Sequence, residues 1–507
     1  MLAESAVVEL LKHAHLFKEA VQDKQWTYSF PKPDSATGLT TISYNSKQSD
    51  AHTLFFCKGR NFKRAYLDEA IRAGVPVIVT ENVFSETPAS VVQLIVTDIK
   101  KAMAVVARAF YGYPDKEFKR LIGFTGTKGK TTAVYFTRHI LQHMAPGKVA
   151  QFSSVENSVD GVHYTESGLT TMESFDLFRS MRQAVDNGME YLVMEVSSQA
   201  YKTNRVYGIT FDIGVFLNIS PDHISPVEHP SFDDYLYCKT QLFKNSHTMV
   251  INAETDYASL LLAKARAKCP RVITYGKHQG DYRYGNDPSN GQDFSLVNVS
   301  ADVPAVDEQY RMKMVGAFNH ENAVPAIIVS RLCGADVPAT VAGIAETTIS
   351  GRMEMLQAKD GLTVCVDYAH NYISLKRALQ YLRQTHPHGQ VVVVVGGVGG
   401  KAESRRADIG RAVSEEADVA YITEDDSANV DPREIMQAIV AHITPNVTVH
   451  QIVDRKQAVT AAINGAHPDD VVLLAAKGRE RFIYKNGEHV PYDGDYYLAQ
   501  ELLKHRN

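Results

Sequence analysis

The chain has 507 residues, of which 44% are hydrophobic and 22% charged, and its formal net charge is −5. That length suggests about three domains, and the composition is that of an ordinary soluble globular protein. The mild acidity excludes a broad basic field for nucleic acid or an anionic membrane, so any anionic ligand must be held by local sites.

The first residues, MLAESAVVELLKHAHLF, carry charges inside their apolar pattern and read as an amphipathic helix, not as a signal peptide. No stretch approaches the roughly 18 apolar residues that a membrane span needs. The cysteines (Cys57, Cys238, Cys269, Cys333 and Cys365) are scattered, odd in number and without CxxC spacing, which argues against a metal cluster or a disulfide framework. The expectation is a cytosolic monomer.

Short β-rich runs then alternate with helical stretches, the pattern of α/β sheets covered by helices. Strands are predicted at 120–125, 191–196, 212–218, 248–253, 363–368, 391–396, 419–424 and 471–476. Polar groups cluster just after them: Glu195, Asp367 and His370, Asp425 and Asp426, then Lys477, Arg479 and Glu480. Ligands of open α/β sheets sit beyond the carboxyl ends of strands, so this placement points to a large site. Breaks near 111–118 and 347–351 divide the chain into 1–112, 113–348 and 349–507.

After the strand at 120–125 comes Gly126-Thr127-Lys128-Gly129-Lys130-Thr131-Thr132, followed by the helical pattern AVYFTRHILQHM. Strand, glycine-rich turn and helix in this order make a phosphate loop. The glycines let backbone N–H groups converge on phosphate oxygens, and the helix N-terminus adds positive potential. Lys130 would reach the β- and γ-phosphates of ATP, and the hydroxyl of Thr131 or Thr132 would ligate Mg²⁺. The spacing departs from the usual pattern, because Phe124 stands where the first glycine belongs.

TGTKGKTT, EVSSQA (195–200), FLNISPDH (216–223), GAFNHENA (316–323), GRME (351–354) and VDYAH (366–370) occur in the order found in Mur ligases, and the chain resembles that family over nearly its whole length. A weaker match lies at YNSKQSDAHTLFFCKG (44–59). The resemblance implies an α/β fold of three domains. Residues 1–112 would bind a UDP-sugar, 113–348 would be a P-loop ATPase-like domain, and 349–507 a Rossmann-like domain for an amino acid. It implies an ATP-dependent ligase of cell-wall precursor synthesis, which phosphorylates a carboxylate of a UDP-sugar peptide and lets an amine displace phosphate.

The same resemblance implies roles for individual residues. Lys130, Glu195, His223 and Lys239 would be catalytic, and Thr131, Glu195, His223 and Lys239, the last as a carbamate, would hold Mg²⁺. Taken alone, a lysine on an amphipathic helix is a solvated surface residue, and the alternative reading of Glu195 is a helix-capping carboxylate. ATP would meet the loop from Gly126 to Thr132 together with Asn319, Arg352 and Asp367; without the resemblance, Asn319 reads as the cap of the following helix. Ser46, Thr170, Thr171, Ser197 and Arg205 would hold the UDP-sugar peptide, Arg205 by bidentate pairing with an anion.

The branch resembled adds a diamino acid to UDP-N-acetylmuramoyl-L-alanyl-D-glutamate. Members that add meso-diaminopimelate carry D-N-P-R where this chain reads Asp425-Asp426-Ser427-Ala428. The arginine that would grip a distal carboxylate is absent, and leaving that carboxylate unpaired would cost several kcal/mol. L-lysine ends in an ammonium that Asp425 and Asp426 suit, and Glu480 matches a further amino-acid contact. L-ornithine, one methylene shorter, is separated by only about 1–3 kcal/mol. Ala476 and Arg479 depart from the family's A-G-K-G-H-E, and VGGKAESRR (398–406) lacks the usual arginine for the α-carboxylate, leaving Lys401 and Arg405 as substitutes. The rival readings are a folylpolyglutamate synthase, a catalytically inactive nucleotide-binding regulator, and a transport or motor ATPase.

Overall fold

The computed structural model describes all residues except 37, 60–61, 226–227, 287–290, 307, 401 and 507. Three sheets follow one another along the chain. The first has six strands in the order Gln25–Thr27, Phe17–Gln22, Val92–Val96, Val77–Thr80, Thr53–Phe56, Thr41–Ser43, the last four of them parallel. The amphipathic segment at the start is a helix, Glu4–His13, whose Val7, Val8 and Leu11 are buried. Their i, i+1, i+4 spacing puts them on one stripe of the helix.

The second sheet is built around the phosphate-loop strand, Arg120–Thr125. It lies between Tyr191–Glu195 and Phe211–Phe216, parallel to both, with Glu195 level with Phe124 and Phe216 level with Thr125. These central strands are buried on both faces, which explains why they read as continuous apolar runs without alternation. The sheet continues through Ser246–Asn252 and Arg271–Gly276 to an antiparallel edge ending at Glu308–Arg311.

The third sheet orders Glu354–Gln357, Thr363–Asp367, Val471–Ala475, Val391–Gly397, Val419–Glu424 and Thr448–Gln451, all parallel except the first. A hairpin, Phe482–Lys485 with Glu488–Pro491, stands apart from it. Each strand expected from the sequence is present, with ends shifted by at most two residues. No helix is long and apolar enough to cross a membrane among the described residues.

The apolar cores differ in how they join these layers. One cluster runs without a break from Leu54 and Leu94 of the first sheet and Val7 of its helix to Leu192 and Phe211 of the second sheet and Phe178 of the helix Ser174–Asp186. The two faces of the third sheet have cores of their own, and of the residues before 349 only Val315 and Phe318 pack against them, among the described residues.

Candidate active site

A cavity of about 390 Å³ lies beyond the carboxyl ends of the central strands, between the second and third sheets. From the second sheet it is lined by Thr127 to Thr132, Thr170, Glu195, His223 and Asn319; from the third come Arg352, Asp367, His370, Ala476 and Glu480. Eleven of the residues singled out from sequence for ATP, catalysis and metal therefore line one cavity together with Thr170 and Glu480.

The loop is pinned before any ligand arrives. Gly129 has φ +84° and precedes the helix Lys130–Met144, and a Cβ there would lie 1.9 Å from Asn322 Oδ1. Only glycine permits both the left-handed turn and the close approach of the helix His320–Leu332. Asn218 clamps the loop from the neighbouring strand end: its Oδ1 accepts from the Lys128 N–H (2.9 Å) and its Nδ2 donates to the Lys128 carbonyl (3.1 Å). Asn218 was not singled out from sequence; its signal was its place in FLNISPDH.

Glu195 is 1% exposed and ends its strand beside the loop. One carboxylate oxygen accepts from the Thr131 hydroxyl (2.8 Å), the Ser154 N–H (2.8 Å) and the Ser154 hydroxyl (2.9 Å). It does not cap the following helix, a role taken by Ser197. The result is a cluster of hard oxygen donors carrying a negative charge, the donor set that Mg²⁺ prefers. His223, held at φ +57°, shares Nδ1 with Glu228 at 3.0 Å. Burial lowers its pKa despite Glu228, which favours the neutral, ligating imidazole.

Lys239 is not a solvated surface residue. It is 2% exposed on the helix Phe232–Thr240, its Nζ donates to the Gly126 carbonyl at 2.7 Å, and it lies under the loop instead of lining the cavity. Lys130 donates to the same carbonyl at 2.9 Å. Burial, aided by Lys130, pushes the Lys239 pKa well down. That direction favours the neutral amine, the form whose lone pair can add to carbon dioxide. One helical turn earlier, Tyr235 donates its hydroxyl to Thr127 at 3.1 Å, so this helix holds the loop at two points.

On the facing wall, Asp367 accepts from the N–H groups of Met353 (2.8 Å) and Ala369 (2.7 Å), and burial raises its pKa against the pull of Arg352. The Nε of Arg352 is buried without a hydrogen-bond partner among the described residues, although its guanidinium lies over the Tyr368 ring. Asn319 stands at the N-cap position of the helix after it without a side-chain capping bond; its Nδ2 instead donates to the Val315 carbonyl at 2.8 Å.

The residues expected to hold the sugar peptide divide. Thr170 lines the cavity. Thr171 donates to the Glu195 carbonyl (3.0 Å) and accepts from the Ser197 N–H (3.1 Å), so the pair stiffens the strand end. Arg205 pairs with Glu173 at 2.8 Å, and Glu173 also meets Lys58 of the first sheet at 2.5 Å. Ser46 is separate, donating to Glu69 at 2.6 Å.

The segment from Asp425 to Ala428 lies behind the cavity wall, not on it. Its carboxylates are not vacant, as the sequence suggested. Lys477, 1% exposed, places Nζ 2.9 Å from Asp426, 3.8 Å from Asp425 and 2.5 Å from Glu480. One cation among three carboxylates leaves two negative charges in excess. Burial pushes the Glu480 pKa up, and Lys477 only partly offsets it. Ala428 has φ +52° and its N–H donates to the Tyr484 carbonyl at 3.0 Å, fixing the segment on the C-terminal hairpin. Ser427 is 2% exposed. Lys401 lies outside the described residues, and Arg405 is engaged by Asp222.

Comparison with known proteins sets this geometry in a family. Residues 124–330 match the Mur ligase middle domain and residues 351–478 match the Mur ligase glutamate ligase domain. The chain is 46% identical over 506 residues, 99% of both chains, to UDP-N-acetylmuramoyl-L-alanyl-D-glutamate–L-lysine ligase of Enterococcus faecalis (strain ATCC 700802 / V583). It belongs to the Mur ligase family. A second relative, UDP-N-acetylmuramyl-tripeptide synthetase of Ligilactobacillus salivarius (strain UCC118), is 42% identical over 515 residues, 98% of each chain. The solved structure of a UDP-N-acetylmuramoyl-L-alanyl-D-glutamate–2,6-diaminopimelate ligase superposes with a TM-score of 0.62, covering 96% of this chain and 97% of that one at 22% identity, which establishes a common three-sheet Mur ligase fold.

Proposed function

We propose that this Mur ligase joins L-lysine to the D-glutamate of UDP-N-acetylmuramoyl-L-alanyl-D-glutamate, using ATP, through an acyl phosphate. The observation that carries this reading is the cavity in which the phosphate loop and Glu195 face Arg352, Asp367 and Glu480. The full-length likeness to the Enterococcus faecalis lysine ligase supports it.

In this reading residues 1–112 take the UDP-sugar, with Ser46 at the nucleotide and Arg205 and Thr170 toward the peptide. Residues 113–348 take ATP, and residues 349–507 bring the amino acid. The loop N–H groups and Lys130 hold the phosphates, where the convergence of positive potential reduces repulsion between γ-phosphate and substrate carboxylate. Asp367 accepts from the ribose hydroxyls, and the unpartnered Nε of Arg352 donates to a phosphate oxygen. Asn319 lies at the adenine end.

Mg²⁺ would be held by the oxygens of Thr131 and Glu195 with His223, and by Lys239 as a carbamate; when bound it would neutralise phosphate charge during transfer. The lowered Lys239 pKa favours the neutral amine that carbamate formation requires. The chain supplies no arginine at Ala428 for a distal carboxylate. Its two excess negative charges around Lys477 attract the ε-ammonium of lysine.

The test is phosphate release with ATP, Mg²⁺ and the UDP-dipeptide, adding L-lysine, L-ornithine or meso-diaminopimelate separately. Turnover with L-lysine is expected. Turnover with meso-diaminopimelate alone would overturn the specificity, and a folded protein that binds ATP yet turns over none of them would be a regulator.

A further inference from the structure

Arg405 opens the helix Ser404–Glu416, where the helix dipole disfavours a cation. It nevertheless points its guanidinium at Asp222, with Nη2 at 2.7 Å and Nε at 3.1 Å from one carboxylate oxygen. The other oxygen of Asp222 accepts from Lys128 of the phosphate loop at 3.1 Å. The side chains of Arg405 and Asp222 are 13% and 6% exposed. Among the described residues, one other ion pair joins the second and third sheets' units, Arg377 with Glu321 at 3.5 Å, and its partners are 45% and 28% exposed.

The linkage continues past Arg405. The turn before its helix presses on the 425–428 segment: the Gly399 N–H donates to the Asp426 carbonyl at 2.9 Å, and a Cβ on Gly399 would lie 1.9 Å from the Ser427 carbonyl oxygen. Lys128, Asp222 and Arg405 thus form one ionic chain, and Gly399, six residues before Arg405 in sequence, touches the segment read as recognising the amine. A buried, hydrogen-bonded charge pair loses much when one partner is removed, because the other charge is left without compensation.

We propose that Arg405 is a positioning residue that fixes the amine-bearing unit against the phosphate loop through Asp222, so that the acyl phosphate meets the amine before it meets water; the inference rests on the ligase reading above. In the productive sequence the substrate carboxylate oxygen attacks the γ-phosphorus and ADP leaves. The amine nitrogen then attacks the acyl carbon, the carbon–oxygen bond to phosphate breaks, and phosphate departs as the nitrogen loses its proton. If water attacks the same acyl carbon, phosphate leaves and the carboxylate is regenerated. The net result is ATP hydrolysis without an amide.

The experiment measures phosphate released and amide formed, in the same tube, for the wild type and for R405M, R405Q and R405K with ATP, Mg²⁺, UDP-dipeptide and saturating L-lysine. The wild type is expected to release one phosphate per amide. Folded R405M and R405Q should release several-fold more phosphate than amide with little change in KM for ATP, and R405K should recover much of the coupling because it keeps the charge at Asp222. If R405M does not fold, R405Q and R405K carry the comparison. A wild-type ratio in the folded neutral variants overturns the proposal; if KM for L-lysine alone rises, Arg405 instead contacts the amino-acid carboxylate. A wild type that makes no amide overturns the ligase reading, and this inference with it.

Discussion

Lys477 sits 2.5 Å from Glu480, in the acidic neighbourhood where the substrate's own ammonium was expected. Removing its charge leaves Asp425, Asp426 and Glu480 facing one another across a poorly hydrated interior. K477M should therefore lose about 3 kcal/mol of stability, the lower end for an uncompensated buried pair because two of its partners are partly solvated. KM for L-lysine should rise more than KM for ATP. Denaturant titration and steady-state kinetics check the two halves separately.

Ala476 lines the cavity at φ +83°, a backbone conformation that a Cβ disfavours. Left-handed geometry costs a non-glycine residue about 1–2 kcal/mol, and a glycine gives back part of that gain as unfolded-state entropy. A476G should stabilise the protein by about 0.5–1 kcal/mol. A midpoint that moves down in thermal unfolding would contradict this.

Burial lowers the Lys128 pKa from 10.5 to about 8, although Asp222 pulls it upward. The ammonium is thus present below that pH and lost above it. In the free enzyme kcat/KM for ATP should decline as pH rises past about 8. K128R, which stays charged, should remove that alkaline limb. A limb unchanged in K128R would assign it to another group.

Burial pushes the Glu173 pKa up, but Arg205 and Lys58 outweigh it and the net direction is down. The folded chain then binds fewer protons at this carboxylate than the unfolded chain does at mildly acidic pH. Its contribution is fully present above the unfolded value of about 4.3 and fades as pH falls through the folded value. The stability difference between wild type and E173Q, measured by urea unfolding at a series of pH values, should shrink below about pH 4.3.

The strands and the phosphate loop were legible because both are local. Apolar runs such as VVVVV mark strands buried on two faces, and a strand followed by G-K-T-T and a helix has one obvious fold. Glu195 drew notice at a strand end, and the roles of Glu195 and His223 came from the family resemblance of EVSSQA and FLNISPDH. What escaped depends on distant neighbours. Nothing near Arg405 announces Asp222, 183 residues earlier, and nothing in AAKGRERF says that its lysine turns back into Asp425 and Asp426. The burial of Lys239 was hidden for the same reason, since its helix has charges at 233, 234 and 239 and reads as solvated.

The unbroken apolar cluster shared by the first and second sheets has a thermodynamic consequence. Two layers that bury the same side chains cannot melt independently, because losing one exposes the interior of the other. Heated in a calorimeter, they form a single cooperative unit. The third sheet, with its own two interiors and an ionic seam to its neighbour, is free to melt as a second one.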